Sequence, residues 1–250
     1  MIQLKNKAQI ELMQQAGRIT GEALLLAGEA VKEGVSTKQL DNIVRAHIEK
    51  CGARPSFLGY GGFPGSACIS INDEVIHGIP SKSKILKEGD IVKIDVGAFY
   101  KGFHGDSANT FAVGKISEEA EKLISVTKES FMKAIEVMAP NCRVGDIGNA
   151  VDSHVKIHGF SVVRKYIGHG VGKELHEAPD VPNYGTPGRG PRIVPGTVIA
   201  IEPMVNVGSC EVKELPDGWT VKTADGKLSA HYEHTVAMTE EGLIILTKVD

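Results

Sequence analysis

No stretch of this 250-residue chain approaches the length needed to cross a bilayer, and its start, Met-Ile-Gln-Leu-Lys-Asn-Lys7, lacks an apolar signal core. Cysteine is scarce and unpatterned. Cys51, Cys68, Cys142 and Cys210 form no CxxC pair, which predicts reduced thiols in a cytosol. An excess of positive charge is also missing: the formal net charge is −3, so no basic field calls for sequence-specific nucleic acid. Low-complexity tracts and linkers are absent, and 42% hydrophobic with 24% charged residues is ordinary for a globular protein. One domain over residues 1–250 with a substantial core is therefore expected.

Present instead is a repeat. Gly89-Asp-Ile-Val-Lys-Ile-Asp95 and Gly196-Thr-Val-Ile-Ala-Ile-Glu202 are apolar strand-like runs that end in a carboxylate, 202 − 95 = 107 residues apart. A buried strand end gains nothing from a carboxylate unless negative charge is needed there. The same offset carries Leu40, Asn42, Val44, His47 and Gly52 onto Ile147, Asn149, Val151, His154 and Gly159. Downstream, His104-Gly-Asp106 resembles His231-Tyr-Glu233 at an offset of 233 − 106 = 127, which implies about twenty extra residues between Glu202 and His231. The halves run over about 1–115 and 116–250.

Within each half two helices precede strands. Apolar residues from Ile10 to Val31 recur at spacings of three and four, predicting a helix over 7–32. Ser36-Thr-Lys-Gln39 is a capping box for a second helix that Gly52 stops. Residues 94–113 read as a hairpin with its turn at Tyr100-Lys-Gly102. Ser117 caps a third helix to about Met138, and a fourth runs from Val144 to His158. Sheet resumes at Val162, interrupted by a Gly- and Pro-rich loop over 177–196.

Asp95 and Asp106 on the two arms of one hairpin can meet across the ladder, as can Glu202 and Glu233 in the other half. Four converging carboxylates would repel and take up protons unless cations neutralised them. A summed charge of −4 favours two divalent ions, which can clamp a carbonyl oxygen and activate water. Any one acid alone reads as a solvated strand end; the four in repeat-related places do not. Oxygen-rich coordination suits Mn, Fe or Co better than a closed zinc site. Among the nine histidines, His169 in Gly168-His-Gly-Val-Gly172 is the best nitrogen ligand, because flanking glycines let a ligand approach. His77 at a strand end could reach a substrate. His47 and His154 read as hydrogen-bonded core histidines on helical faces, and His104 and His231 as supports beside ligands. His176-Glu177 does not start a zincin motif, since Pro179 forbids the helix.

These residues, in the contexts IDVG, HGDSANTF, GHGVGKELHEAP, IEPM and SAHYEHT, resemble those of the methionine aminopeptidases over essentially the whole chain. Ser70-Ile-Asn-Asp-Glu-Val-Ile-His-Gly-Ile-Pro80 and Asp217-Gly-Trp-Thr-Val narrow the likeness to the short bacterial type I form. The resemblance implies an α+β pita-bread fold: two pseudo-two-fold related halves around a central antiparallel sheet, with helices on the outer face. It implies removal of the N-terminal methionine from nascent proteins whose next residue is small. It also implies two divalent ions (Co, Mn, Fe or Zn) bridged by Asp106 and Glu233, with Asp95 completing one shell and His169 and Glu202 the other. His77 would contact the scissile amide nitrogen, His176 the oxyanion, and Glu202 would accept a proton. Tyr60, Phe63, Cys68 and Trp219 match positions of the methionine pocket. Phe57, Leu175 and His231 depart from the common pattern, where a cysteine, an aromatic and a glutamine are usual. The family is usually monomeric.

Two alternatives share the ligand set or the fold: an aminopeptidase P or Xaa-Pro dipeptidase, and a metal-free binding protein. The former usually carries an additional N-terminal domain, and the latter loses ligands that are all present here. Lys213, Lys222 and Lys227 in the second-half insertion could meet ribosomal RNA phosphates weakly, although scattered lysines on a solvated loop are the plainer reading.

Overall fold

The computed structural model describes residues 1–249. Helix α1 (Lys7–Glu29) starts at a capping box between Asn6 and Gln9, and α2 (Thr37–Lys50) at the Ser36–Gln39 box. The first ends three residues short of the expected 32, because the apolar spacing continues past the last helical hydrogen bonds. Strands β1 (Arg54–Pro55), β2 (Ala67–Ile71) and β3 (Glu74–Ile76) lead to the long hairpin β4 (Ile91–Tyr100) and β5 (Phe103–Ala112). Helices α3 (Glu118–Val137) and α4 (Val144–Ile157) open the second half. Then come β6 (Ser161–Val162), β7 (Gly168–Gly170), β8 (Glu177–Val181), β9 (Val198–Ile201) and β10 (Met204–Asn206). The chain closes with β11 (Val212–Glu214), β12 (Val221–Thr223), β13 (Ser229–His231), β14 (Glu233–Thr239) and β15 (Gly242–Ile245).

One antiparallel sheet runs β1–β4–β5–β14–β9–β7–β8, with β2 also on β4 and β15 also on β14. Strand β8 occupies residues expected to be loop. Its Pro179 is tolerated because β8 is the edge of the sheet, where a missing N–H breaks no inner ladder. The halves meet where β5 pairs β14, Glu233 against Ala108 and His234 against Ser107. Beyond that short ladder, hydroxyls continue the seam. Thr235 Oγ1 accepts from the Asp106 amide at 2.9 Å and donates to the Asp106 carbonyl at 2.8 Å, and Thr110 Oγ1 does the same for His231 at 2.9 and 2.8 Å.

The repeat extends to register. Arg54↔Phe99 and Pro55↔Ala98 in the first half become Ser161↔Asn206 and Val162↔Val205 in the second, each partner moved by 107. Helices α2 and α4 have bounds related by the same 107. Ile19, Leu24, Leu40 and Val44 pack one helix pair on Ile69, Val92 and Ile94; Leu123, Phe131, Ile147 and Val151 pack the other on Ile199, Ile201 and Val236. The insertion folds as the hairpin β11–β12, which pairs with β3 of the first half. Close approach of α1 to the central hairpin depends on glycine: a Cβ on Gly105 would lie 2.8 Å from the Gly17 Cα, and Thr20 Oγ1 donates to the Gly105 carbonyl at 3.2 Å. That contact anchors the strand carrying Asp106.

Candidate metal centre

Asp95 lies opposite Ala108 on the hairpin, and Asp106 opposite Gly97, so the two carboxylates are diagonal neighbours on one face. Only glycine fits at 97, since a Cβ there would lie 2.8 Å from the Phe57 ring and from the Ser56 Cβ. In the second half Pro203, without an N–H, separates β9 from β10 and leaves Glu202 at the break, while Glu233 opens β14. The four acids converge in one cleft with His169.

The electrostatics of this group are those of a site built for cations. Burial pushes the Asp95 carboxyl up to about 7. Burial, then the charges of Asp95 and Glu202, push Asp106 well above the usual carboxylate range. Burial raises Glu202 and Glu233 too, with the neighbouring acids adding to it. His169 is held neutral, its pKa lowered to about 3 by burial. Its Nδ1 donates to the Gly170 carbonyl at 2.9 Å, which leaves the Nε2 lone pair facing Glu202 Oε1 at 3.6 Å and Asp106 Oδ2 at 3.8 Å.

His231 and His104, alike in sequence, part company here. His104 Nδ1 is bonded to Ser56 Oγ at 2.8 Å. His231 is buried and neutral with neither ring nitrogen hydrogen-bonded, and its Nε2 lies 3.7 Å from Glu233 Oε2 and 3.9 Å from Glu202 Oε2. Asp95 Oδ1 and Asp106 Oδ1 are likewise buried without a partner. Separations of 3.6–3.9 Å exceed hydrogen-bond length, yet two donors each about 2.1 Å from a shared ion stand roughly 3–4 Å apart. Two trios result: Asp106, His169 and Glu233, and Asp95, His231 and Glu233. Orphaned buried oxygens and neutral imidazoles fit divalent cations; they fit no protein hydrogen-bond network.

The rest of the cleft is lined by Tyr60, Phe63, Cys68, His77, His176 and Trp219, all expected from the sequence, and by Phe57 and Leu175. Phe57, Phe63, Cys68 and Leu175 form one buried apolar cluster with Trp219 against it, and the Phe63 and Trp219 rings meet edge to face at 5.1 Å. Burial raises the Cys68 thiol well above its ordinary range, with Asp95 adding to it, so Cys68 is an apolar wall rather than a nucleophile. His77 has φ 58°, a left-handed conformation costly for a non-glycine residue, and its pKa falls to about 4 through burial. His176 Nδ1 lies 2.8 Å from the Tyr60 hydroxyl. The β11–β12 turn brings in Trp219, which is how the insertion contributes to the cleft.

Three lining residues were not singled out in the sequence: Ile76, Tyr166 and Ile167. Tyr166 donates to Glu214 Oε1 at 2.7 Å and packs edge to face on His77 with centroids 5.8 Å apart. Its position three residues before His169 was the available signal. Lys93, two residues before Asp95, is fully buried with Nζ donating to the Asn72 carbonyl at 2.7 Å, and burial lowers it to about 7. Of the insertion's lysines, Lys222 pairs with Asp73 at 2.7 Å. The four cysteines are free thiols, and among the described residues no helix is long and apolar enough to cross a membrane.

The model of metallopeptidase family M24 matches residues 11–240. A methionine aminopeptidase of Clostridium perfringens is 57% identical over 249 residues, covering 100% of both chains. The crystal structure of methionine aminopeptidase from Thermotoga maritima superposes with a TM-score of 0.98 at 44% identity, again over 100% of both. The prolidase of Pyrococcus furiosus superposes at 0.79 with 26% identity, over 99% of this chain and 66% of that one. The fold is the pita-bread fold of these neighbours.

Proposed function

The chain belongs to the methionine aminopeptidases of metallopeptidase family M24, and on that footing we propose that it removes N-terminal methionine from nascent proteins whose second residue is small. The reading rests on one juxtaposition. A cluster of buried, cation-demanding carboxylates and neutral imidazoles shares a cleft with an apolar pocket of side-chain size.

Asp95, Asp106, His169, Glu202 and Glu233 would together hold two divalent ions. His231, grouped with Asp95 and Glu233, would offer a further nitrogen donor. When bound, such ions would supply Lewis acidity toward a carbonyl oxygen and a lowered pKa for water. The remaining work falls to the chain. Phe57, Phe63, Cys68, Leu175 and Trp219 accept the methionine side chain, whose thioether gains from burial and from contact with aromatic rings. Tyr60, its pKa raised by burial, would donate its hydroxyl hydrogen to His176 Nδ1, 2.8 Å away. That bond fixes the tautomer with a hydrogen on Nε2, ready to donate to the oxyanion. His77, neutral near pH 7, meets the scissile amide nitrogen, and Glu202 accepts a proton from water. His77, His176, Tyr60 and Trp219 crowd the rim and restrict the second residue. Residues 1–250 act as one catalytic unit, a cytosolic monomer.

The test is a panel of Met-Xaa-Ser peptides with metal-stripped protein reloaded with Mn, Fe, Co or Zn in turn. Release of methionine from Met-Ala-Ser but not Met-Lys-Ser, restored by at least one ion, is expected. Release without any ion, or from Met-Lys-Ser at a similar rate, would refute it.

A further inference from the structure

Two trios of metal-ligating side chains lie outside the cleft, on the helix pairs, and they are copies of one another. In the first half Glu22 of α1 faces His47 and Cys51, the latter capping α2; in the second, Glu129 of α3 faces His154 and His158 at the end of α4. All three positions are related by the repeat offset: 22 + 107 = 129, 47 + 107 = 154, 51 + 107 = 158. The geometry is copied too. Arg18 Nε holds Glu22 Oε1 at 2.7 Å, and Ser125 Oγ, 107 residues on, holds Glu129 Oε1 at 2.6 Å. In both halves this leaves Oε2 facing the histidine Nε2 at 3.2 Å. At the third position the residue changes from cysteine to histidine, and the new residue is again a metal ligand.

The contacts of His47 bring three potential ligand atoms together. Its Nε2 lies 3.2 Å from Glu22 Oε2 and 3.5 Å from Cys51 Sγ. With a hydrogen on Nε2 the ring donates to the carboxylate and the thiol makes at most a weak contact with the ring. With a lone pair on Nε2 the thiol can donate, but lone pair and carboxylate oxygen then repel. An ion among the three satisfies all of them. Zinc–ligand bonds of about 2.0, 2.0–2.1 and 2.3 Å to oxygen, nitrogen and sulfur at tetrahedral angles place nitrogen about 3.3 Å from oxygen and about 3.6 Å from sulfur. The observed spacings match. In the second half His158 Nδ1 donates to the His154 carbonyl at 2.9 Å, which orients the ring and leaves its other nitrogen as a lone-pair donor. Glu22, His47 and Cys51 are half-buried, so solvent can supply a fourth ligand.

We propose that each helix pair carries an outer site for a divalent ion of the zinc class, Glu22–His47–Cys51 in the first half and Glu129–His154–His158 in the second. Each ion clips the two helices of its pair together, and neither touches the cleft. The inference is independent of the catalytic reading, because its residues share nothing with the central centre.

The test uses the full-length protein, stripped with chelator and reloaded with zinc, with bound metal counted by mass spectrometry after gel filtration. His47→Gln and His154→Gln should each bind one zinc fewer than wild type, and should lose part of the zinc-induced rise in melting temperature. Asp106→Asn should lose central metal only. Loaded with cobalt, wild type and Asp106→Asn should show a thiolate-to-cobalt charge-transfer band that Cys51→Ser abolishes and Cys68→Ser keeps. Equal stoichiometry in wild type and both histidine variants, or a band indifferent to Cys51→Ser, would overturn the proposal. Loss in His47→Gln alone would overturn the second-half site and the repeat argument with it. Comparing metal-free melting temperatures separates lost binding from lost folding, and Cys51→Ser, the mildest change, reads the first site even if a histidine variant misfolds.

Discussion

Replacing Asp95 with asparagine should stabilise the metal-free protein while weakening its response to metal. Burial pushes the Asp95 carboxyl from 3.8 to about 7. At about 1.4 kcal/mol for each tenfold change in the protonation equilibrium, ionising it in place costs about 4 kcal/mol in a rigid site. Proton sharing with Asp106 and local relaxation reduce the expected effect to roughly 1–3 kcal/mol. The sign follows from linkage. The folded state binds the proton more tightly than the unfolded chain, so this contribution is fully present below about pH 3.8 and is lost as pH rises to about 7. Asparagine keeps the shape and never ionises. Stripped Asp95→Asn should therefore melt roughly 3–10 °C above stripped wild type at pH 8, with the gap closing toward pH 4. Adding Mn should close or reverse the gap by raising wild type more than the variant, which keeps Asp106, His169, Glu202 and Glu233 for one ion. Thermal melts with chelator across that pH range, then with metal, are the assay. A stripped variant that melts at or below stripped wild type at pH 8 would refute the account of the centre as a cation-demanding cluster.

His176→Ala should keep its central metal content yet lose about a hundred-fold or more in turnover, the cost of one oxyanion donor, as steady-state kinetics beside metal analysis would show. Asp106→Ala or Glu233→Ala should abolish turnover and the capacity for two central ions, measurable by titration calorimetry. Lys93→Met should stabilise the fold by about 1–4 kcal/mol at pH 6 and by less at pH 9. The lysine's folded pKa is depressed to about 7, so its cost is greatest below that pH and is lost as pH rises toward 10.5; denaturant melts at both values check it. Changing Lys213, Lys222 and Lys227 together to Glu should leave co-sedimentation with ribosomes at low salt unchanged, since Lys222 is already paired with Asp73.

The central carboxylates could be read from the sequence because each ends or opens an apolar strand, where an unpaired charge is expensive, and because repetition made chance an inadequate explanation. The helix starts were legible for a local reason: Ser36 and Gln39 satisfy each other's backbone neighbours within four residues. What escaped was decided at a distance. Strand β8 carries Pro179 and looks like loop until the sheet gives it an edge position. The β11–β12 hairpin shows no partner in its own half because that partner is β3. Lys93 belongs to no pattern and Tyr166 offers only its nearness to His169, so it is the fold that shows one fully buried and the other lining the cleft. His104 and His231 share a motif, and a single bond to Ser56 separates their roles.

The short seam between β5 and β14 has a kinetic consequence. Its hydroxyl stitches join Asp106 to Thr235 across 129 residues of chain, so they close one of the longest loops in the fold. Contacts of such span form late, after each helix pair has settled on its own strands. Interactions absent from the folding transition state act mainly on the escape rate from the native state. An ion held between Asp106 and Glu233 would be a clasp fastened last, one that lengthens the lifetime of the folded chain without hastening its formation. Metal starvation would then surface first as faster proteolytic turnover of the enzyme, with its refolding rate unaltered.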